Sequence, residues 1–193
     1  MSMLDMLQQR LGNEAAVKQI GAQLGTDSGT TQSAIAAALP MLVGALARNA
    51  QDPAQAGALN SALSKKHDGS ILDDVSGHLS QRQFSDGEGI LGHVLGGQKS
   101  SVATGLGQVA GLDAGKATML LSMLAPLVLG ALGKAQRDGG LDAGGLAGML
   151  GGERQRAADA APGVMGMLGK FLDRDGDGSV MDDIGGMLGR FGK

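Results

Sequence analysis

Two stretches of the chain are apolar almost without interruption. Residues 34–47 read AIAAALPMLVGALA and residues 117–133 read ATMLLSMLAPLVLGALG. The flanking segments instead repeat apolar positions at helical spacing. At the N-terminus, Met3, Leu4, Met6, Leu7 and Leu11, followed by Ala15, Ile20 and Leu24, suit two short amphipathic helices. Alternation of the kind that marks a half-buried strand is missing at any useful length. The pattern predicts an all-α, multihelical fold.

The two apolar stretches are related. Residues 26–48 align without gaps to residues 112–134, pairing Asp27 with Asp113, Gly29 with Gly115, Pro40 with Pro126, Gly44 with Gly130 and Leu46 with Leu132. Each copy reads as a capping aspartate, then a long apolar helix with a proline deep inside it. The expectation is two kinked helices, over 28–47 and 114–133, packed together as the core. A membrane span is the competing reading of residues 117–133, but Ser122, Pro126 and Gly130 interrupt the run, and a buried helix is the simpler account. A second, shorter match pairs DGSILDDVSG (68–77) with DGSVMDDIGG (177–186). Ser85 and Glu88 stand at capping-box spacing ahead of Ile90, Leu91, Val94 and Leu95. From about Lys134 to Pro162 the chain is rich in Gly and Ala and poor in large apolar residues, which reads as a linker with at most one weak helix.

Composition narrows the picture. The 193 residues include 35 Gly and 11 Met, three Phe, and no Trp, Tyr or Cys. A core of Leu, Ala, Met and Val favours closely approaching helices. Without cysteine there are no disulfides, thiolate nucleophiles or Cys-based zinc sites. Net charge is −3, and the sixteen Lys and Arg are scattered, with Lys65–Lys66 the only adjacent pair, so the basic footprint of a nucleic-acid binder is lacking. The start, MSMLDMLQQRLGNE, has no basic region ahead of an apolar run. A cytoplasmic chain is the expectation. His67, His78 and His93 are not at helical ligand spacing and read as surface or capping residues. No set of nucleophile, base and oxyanion donors can be assembled, so the chain reads as non-catalytic.

The segments ALPMLVGALAR, DGEGILGHVLGG and SMLAPLVLGALGK, in that order, resemble the YidB-like family of bacterial proteins of unknown function, from about Met3 to Lys134. The resemblance implies an all-α fold and brings no activity. It also implies a homeodomain-like helical arrangement, hence the alternative of nucleic-acid binding, which the charge opposes. The chain thus divides into a helical domain (1–134), a linker (135–162) and a C-terminal hairpin (163–193).

The hairpin carries the most specific chemistry. FLDRDGDGSVMDD resembles an EF-hand loop: Asp173, Asp175 and Asp177 fill positions 1, 3 and 5, Gly178 the turn position, and Ser179 position 7 through its carbonyl. Apolar stripes flank it, Val164, Met167, Leu168 and Phe171 before, Val180, Ile184, Met187, Leu188 and Phe191 after. Oxygen-only ligands select calcium. Position 12 departs from the pattern, with Ile184 where a bidentate glutamate belongs; Asp183 is the expected last ligand and Asp182 the alternative. In the first copy Ser64, Lys66 and Asp68 stand where Asp173, Asp175 and Asp177 do, so residues 64–74 read as a helix cap without metal. Small residues at Gly44, Gly130, Gly185, Gly186 and Gly189, and a hairpin stripe too small to bury itself, point to self-association or a protein partner. Together these features describe a calcium-binding interaction module.

Overall fold

The computed structural model describes residues 2–80 and 84–160, with residues 162, 163 and 166. These residues are helical, with no strand among them. In order come α1 (Met3–Leu11), α2 (Glu14–Leu24), α3 (Ser28–Asn49), α4 (Pro53–Lys66), a 3-10 turn (Ser70–Leu72), α5 (Val75–Ser80) and α6 (Ser85–Leu95). A second 3-10 turn (Gly96–Gln98), α7 (Lys99–Ala110), α8 (Ala114–Gly139) and α9 (Ala143–Ala160) complete the set.

The all-round apolar stretches are the two central helices. Every residue from Ala37 to Ala47 of α3 and from Leu120 to Gly133 of α8 is buried. A helix with no polar face must be enclosed on all sides, by protein or by lipid. Here the other helices enclose both: α1, α2, α7 and α9 lie on α3, and α4, α6 and α7 on α8. Both helices have the length and apolarity to cross a membrane, with 78% of each apolar window buried in the protein. Each runs continuously through its proline. Proline has no N–H, so the carbonyls of Ala36 and Ser122 lose their helical donor.

The two helices are entered alike. Gly25 and Gly111 close α2 and α7 in the left-handed region, at φ 64° and 69°. Thr26 N then donates to the Gly21 carbonyl (3.0 Å) and Leu112 N to that of Gly107 (2.9 Å). Asp27 Oδ1 accepts from Thr30 N, and Asp113 Oδ1 from Lys116 N, both at 2.9 Å. These are N-caps of the kind the paired aspartates predict.

Two local expectations are revised. Ser85 does not cap α6: it lies inside the helix, and Phe84 at the cap position contributes no side-chain hydrogen bond. A capping box forms at α1 instead, where Ser2 Oγ accepts from Asp5 N and Asp5 Oδ2 from Ser2 N, both at 3.0 Å. Residues 135–160, read as a linker, form the end of α8 and the 18-residue α9. Gly140 ends α8 at φ 59°, and Asp142 Oδ1 accepts from Gly145 N (2.8 Å) to start α9. Leu146, Leu150, Glu153 and Ala157 then make a buried stripe against α3 and α4. Tertiary burial overrides the low propensity of the glycines.

Candidate functional site: an acidic turn and a polar cleft

Asp173, Asp175, Asp177, Ser179, Asp182 and Asp183 lie outside the described residues, as do both flanking apolar stripes, Val164 to Phe171 and Val180 to Phe191. The related segment 68–77 is described. Gly69 sits at φ 97°, a value that L side chains rarely adopt, and this allows the chain to reverse there. Asp68 Oδ1 accepts from Ser70 N (3.0 Å) across that reversal, and residues 70–72 form the 3-10 turn. Asp74 Oδ1 accepts from Gly77 N (2.7 Å) and the Asp74 carbonyl from His78 N (3.1 Å), so Asp74 caps α5. The Ser70 N–H holds the Asp68 carboxyl below its ordinary range. Arg137 is 3.7 Å away, but both side chains are more than half exposed and the pair adds little. The residues common to the two segments therefore act here as turn and cap.

The turn is fixed to α8 by close backbone contact. A Cβ on Gly133 would lie 1.7 Å from the His67 carbonyl oxygen, and one on Gly130 2.3 Å from Ile71 Cγ2. On the N-terminal side of that contact, α6 approaches as closely: a Cβ on Gly87 would fall 1.8 Å from the Ser122 carbonyl oxygen. That oxygen is the one Pro126 deprives of its helical donor. Gly87, Gly130 and Gly133 thus bring three backbone segments together where side chains would hold them apart.

Between these contacts lies a cleft of about 160 Å³, lined by Lys66, His67, Asp68, Gly69, Ser70, Ile71, His78, Phe84, Asp86, Gly87, Ser122 and Pro126. Burial holds the His67 imidazole below its ordinary value; Asp86 opposes that shift and Lys66 adds to it. His78 Nε2 lies 3.3 Å from the Met123 carbonyl and donates to it, leaving Nδ1 as an acceptor when the ring is neutral. Ser122 Oγ donates to the Thr118 carbonyl (3.0 Å), so its hydroxyl is occupied within its own helix. A shallower groove of about 640 Å³ shares Phe84 and Ser122 with the cleft and continues over Ser85, Glu88, Gly115, Thr118 and Met119. Met119 is among the few large apolar side chains exposed in the described residues.

Sequence reasoning gave the histidines surface or capping roles; His67 does stand at the C-cap of α4, its N–H donating to the Leu63 carbonyl (3.2 Å), and the structure brings the His67 and His78 rings to one half-buried cleft, while His93 Nδ1 donates to the Gly89 carbonyl (2.8 Å) in its own helix. Their 11-residue separation gave no signal, because the two meet only through the docking of the turn on α8. No group of three or more His, Asp or Glu among the described residues is placed to hold a metal ion. Basic side chains pair individually: Lys18 with Glu14, Lys134 with Asp138, Arg156 with Glu153, and Arg10 with the Leu72 carbonyl.

A second buried polar contact went unseen in the sequence. Glu153, only 2% exposed, accepts from Leu4 N at the start of α1 (2.9 Å) and from Arg156 Nη1 (2.6 Å). The carboxylate meets the free N–H groups of a helix N-terminus, where negative charge is favoured. It ties α9 to α1 across 149 residues of sequence.

A family model described as bacterial protein of unknown function, DUF937, matches residues 5–135. No curated protein and no solved structure matches the chain. The match supports the coarser of the sequence expectations, a bacterial family without known function, and does not carry the narrower YidB-like label. The chain belongs to the DUF937 family.

Proposed function

Taking the chain as a member of that family, we propose that it is a non-catalytic helical interaction module whose acidic tail takes up one calcium ion. Asp173, Asp175, Asp177, the Ser179 carbonyl and Asp183 are the ligands, with water completing the shell. The observation that carries this reading is the folded form of the related DGS turn. A glycine at φ 97° between an aspartate that accepts from the amide two residues on and a short helical turn is the kind of reversal an oxygen-ligand calcium loop needs. The first copy has the reversal without the carboxylates, and cap hydrogen bonds account for it fully. The second copy adds Asp173 and Asp175 at alternate positions before Asp177, and three carboxylates within five residues repel one another unless a cation lies between them.

The described turn also bears on how the loop closes. Asp74, which aligns with Asp183, is a helix cap in the copy that lacks the other carboxylates, and Asp73, which aligns with Asp182, makes no such bond; Asp183 is proposed as the ligand because it lies one residue before the twelfth position, nearer than Asp182. An Asp183→Asn and Asp182→Asn pair separates the roles: a ligand carboxylate raises Kd on replacement, whereas a pure cap retains calcium binding with its amide oxygen in place. Asp183→Asn is expected to weaken calcium binding at least tenfold and Asp182→Asn by less than threefold. The opposite order would transfer the closing role to Asp182.

The same reading includes self-association. Capping aspartates recur in sequence order, Asp27 and Asp113 ahead of α3 and α8, then Asp52 and Asp142 ahead of α4 and α9. Gly44 and Gly130, two of the small residues that pointed to self-association, are buried within the monomer, Gly130 against Ile71, so a contact between copies lies on another surface. Light scattering with and without calcium tests this; a strict monomer at high concentration in both would remove it. Nothing in the geometry favours the nucleic-acid alternative.

A further inference from the structure

The groove between the start of α6 and the start of α8 presents apolar surface that no described residue covers. Met119 is 40% exposed, and with Val109 it is one of two large apolar side chains exposed among the described residues. It shares the groove, of about 640 Å³, with the half-buried Phe84. The hydroxyls of the α8 wall are already engaged: Thr118 Oγ1 donates to the Ala114 carbonyl (2.8 Å) and Ser122 Oγ to that of Thr118 (3.0 Å). Few convergent donors remain to orient a small polar ligand, whereas an apolar side chain seated there leaves no hydroxyl unsatisfied. The α6 rim is acidic. Glu88 lines the groove and Asp86 the adjoining cleft; both are exposed, and neither pairs with a cation among the described residues.

We propose that this groove is the seat of the chain's own C-terminal stripe, Ile184, Met187, Leu188 and Phe191. Residues 161–193 follow α9, and a stripe too small to bury itself needs another surface. Its four apolar residues stand at i, i+3, i+4 and i+7, the anchor spacing of an amphipathic helix that docks in a groove. Charge matches as well. Residues 184–193 carry Arg190 and Lys193 and no Asp or Glu, opposite the Asp86–Glu88 rim, and such complementarity fixes orientation. A thioether against an aromatic ring is favourable, and groove and stripe each supply one of both: Met119 and Phe84, Met187 and Phe191. Reach sets no limit, since residues 161–183 extend to about 75 Å at most, against about 30 Å for a small domain. A tethered stripe meets its groove at an effective concentration on the order of millimolar, so a short contact suffices where a separate partner needs a larger one. The inference depends on neither the calcium reading nor a second copy.

The chain has no cysteine, so introduced pairs report without background. Ser85→Cys on the groove rim, combined with Gly192→Cys beside the stripe, is compared with Ser61→Cys combined with Gly192→Cys. Ser61 is exposed on α4 beside Asn60, which Gln136 meets near the other end of α8. A short bis-maleimide is added to dilute full-length protein, and intact mass reads the rate of crosslinking within one chain. The Ser85 pair should close about tenfold faster than the Ser61 pair, and Met119→Lys should bring the two within about twofold. Because Met119 is exposed, its replacement leaves the core intact; Leu188→Asp makes the same test from the side of the stripe. Rates are read in chelator and again in millimolar calcium. A Ser85 preference in either condition, removed by Met119→Lys, supports the seat. Equal rates for the two pairs in both conditions, or a preference that ignores Met119→Lys, would overturn it. Crosslinks between chains in place of those within one would also overturn it and give the groove to a second copy. Calcium binding is read separately, so the failure of either proposal leaves the other standing.

Discussion

Glycine serves opposite ends at different positions of this chain. At Gly87 and Gly133 its missing Cβ lets backbone meet backbone, on the Ser122 and His67 carbonyls. At Gly148 it leaves open space. Gly87→Ala should therefore destabilise the protein by about 2–3 kcal/mol through overpacking, whereas Gly148→Ala should stabilise it by about 0.5–1 kcal/mol. Urea midpoints of the two variants check both signs. Composition shows that glycine is abundant but not which glycine is which, since the distinction lies in the neighbours. Aspartate was more legible. Asp27, at its predicted cap position, accepts from the Thr30 hydroxyl (2.7 Å) as well as from its amide, and these bonds hold its carboxyl below the ordinary range, as the Ser2 amide does for Asp5. For a group whose pKa is lowered on folding, stability is present above the unfolded value and is lost as pH falls through the folded one. His67 follows the same sign, because burial disfavours its charged form. Stability should thus decline as pH falls below about 6.5 and again below the carboxylate range. His67→Asn should flatten the first decline and Asp27→Asn should soften the second, as read from thermal midpoints across pH.

At the scale of elements, the long apolar helices and the N-terminal pair were readable because periodicity and capping agree with burial there. The α9 helix was not, because its propensity is poor and its stability comes from a seat formed by residues some 100 positions earlier. Glu153 makes the point sharply. In sequence it is one more charge in ERQR; in the fold it is buried and accepts the Leu4 amide. Glu153→Ala leaves that N–H without its partner and removes a charge-assisted bond, so the variant should lose about 2–3 kcal/mol. Arg156→Ala, which removes a partner that is 65% exposed, should lose under about 1 kcal/mol. Denaturation of the two variants side by side measures the difference. The failure of Ser85 to cap α6 has the same origin. Spacing alone offered a cap, while the approach of Gly87 to α8 places Ser85 already inside the helix.

For the whole molecule, an all-α fold around two enclosed helices follows from the apolar pattern and is what the structure holds. The cleft at His67, His78 and Asp86 was not legible, because it forms only where the 67–71 turn, α6 and α8 converge. The acidic loop stands in the reverse position: its carboxylate spacing is plain in the sequence, and the related segment that the structure describes lacks two of the carboxylates. A loop without glutamate at its twelfth position should bind calcium with Kd on the order of 10⁻⁵ to 10⁻³ M, and more weakly as pH drops toward the carboxylate range, since the ligands must be ionised. The direct measurement is a calorimetric titration of the full chain with calcium, beside its Asp175→Ala variant. One site per chain in that affinity range, with binding abolished or weakened at least tenfold in the variant, is the expected result. No binding heat at millimolar calcium, or equal binding by both proteins, would contradict it and leave DRDGDGS an acidic cap like its counterpart at residues 68–70.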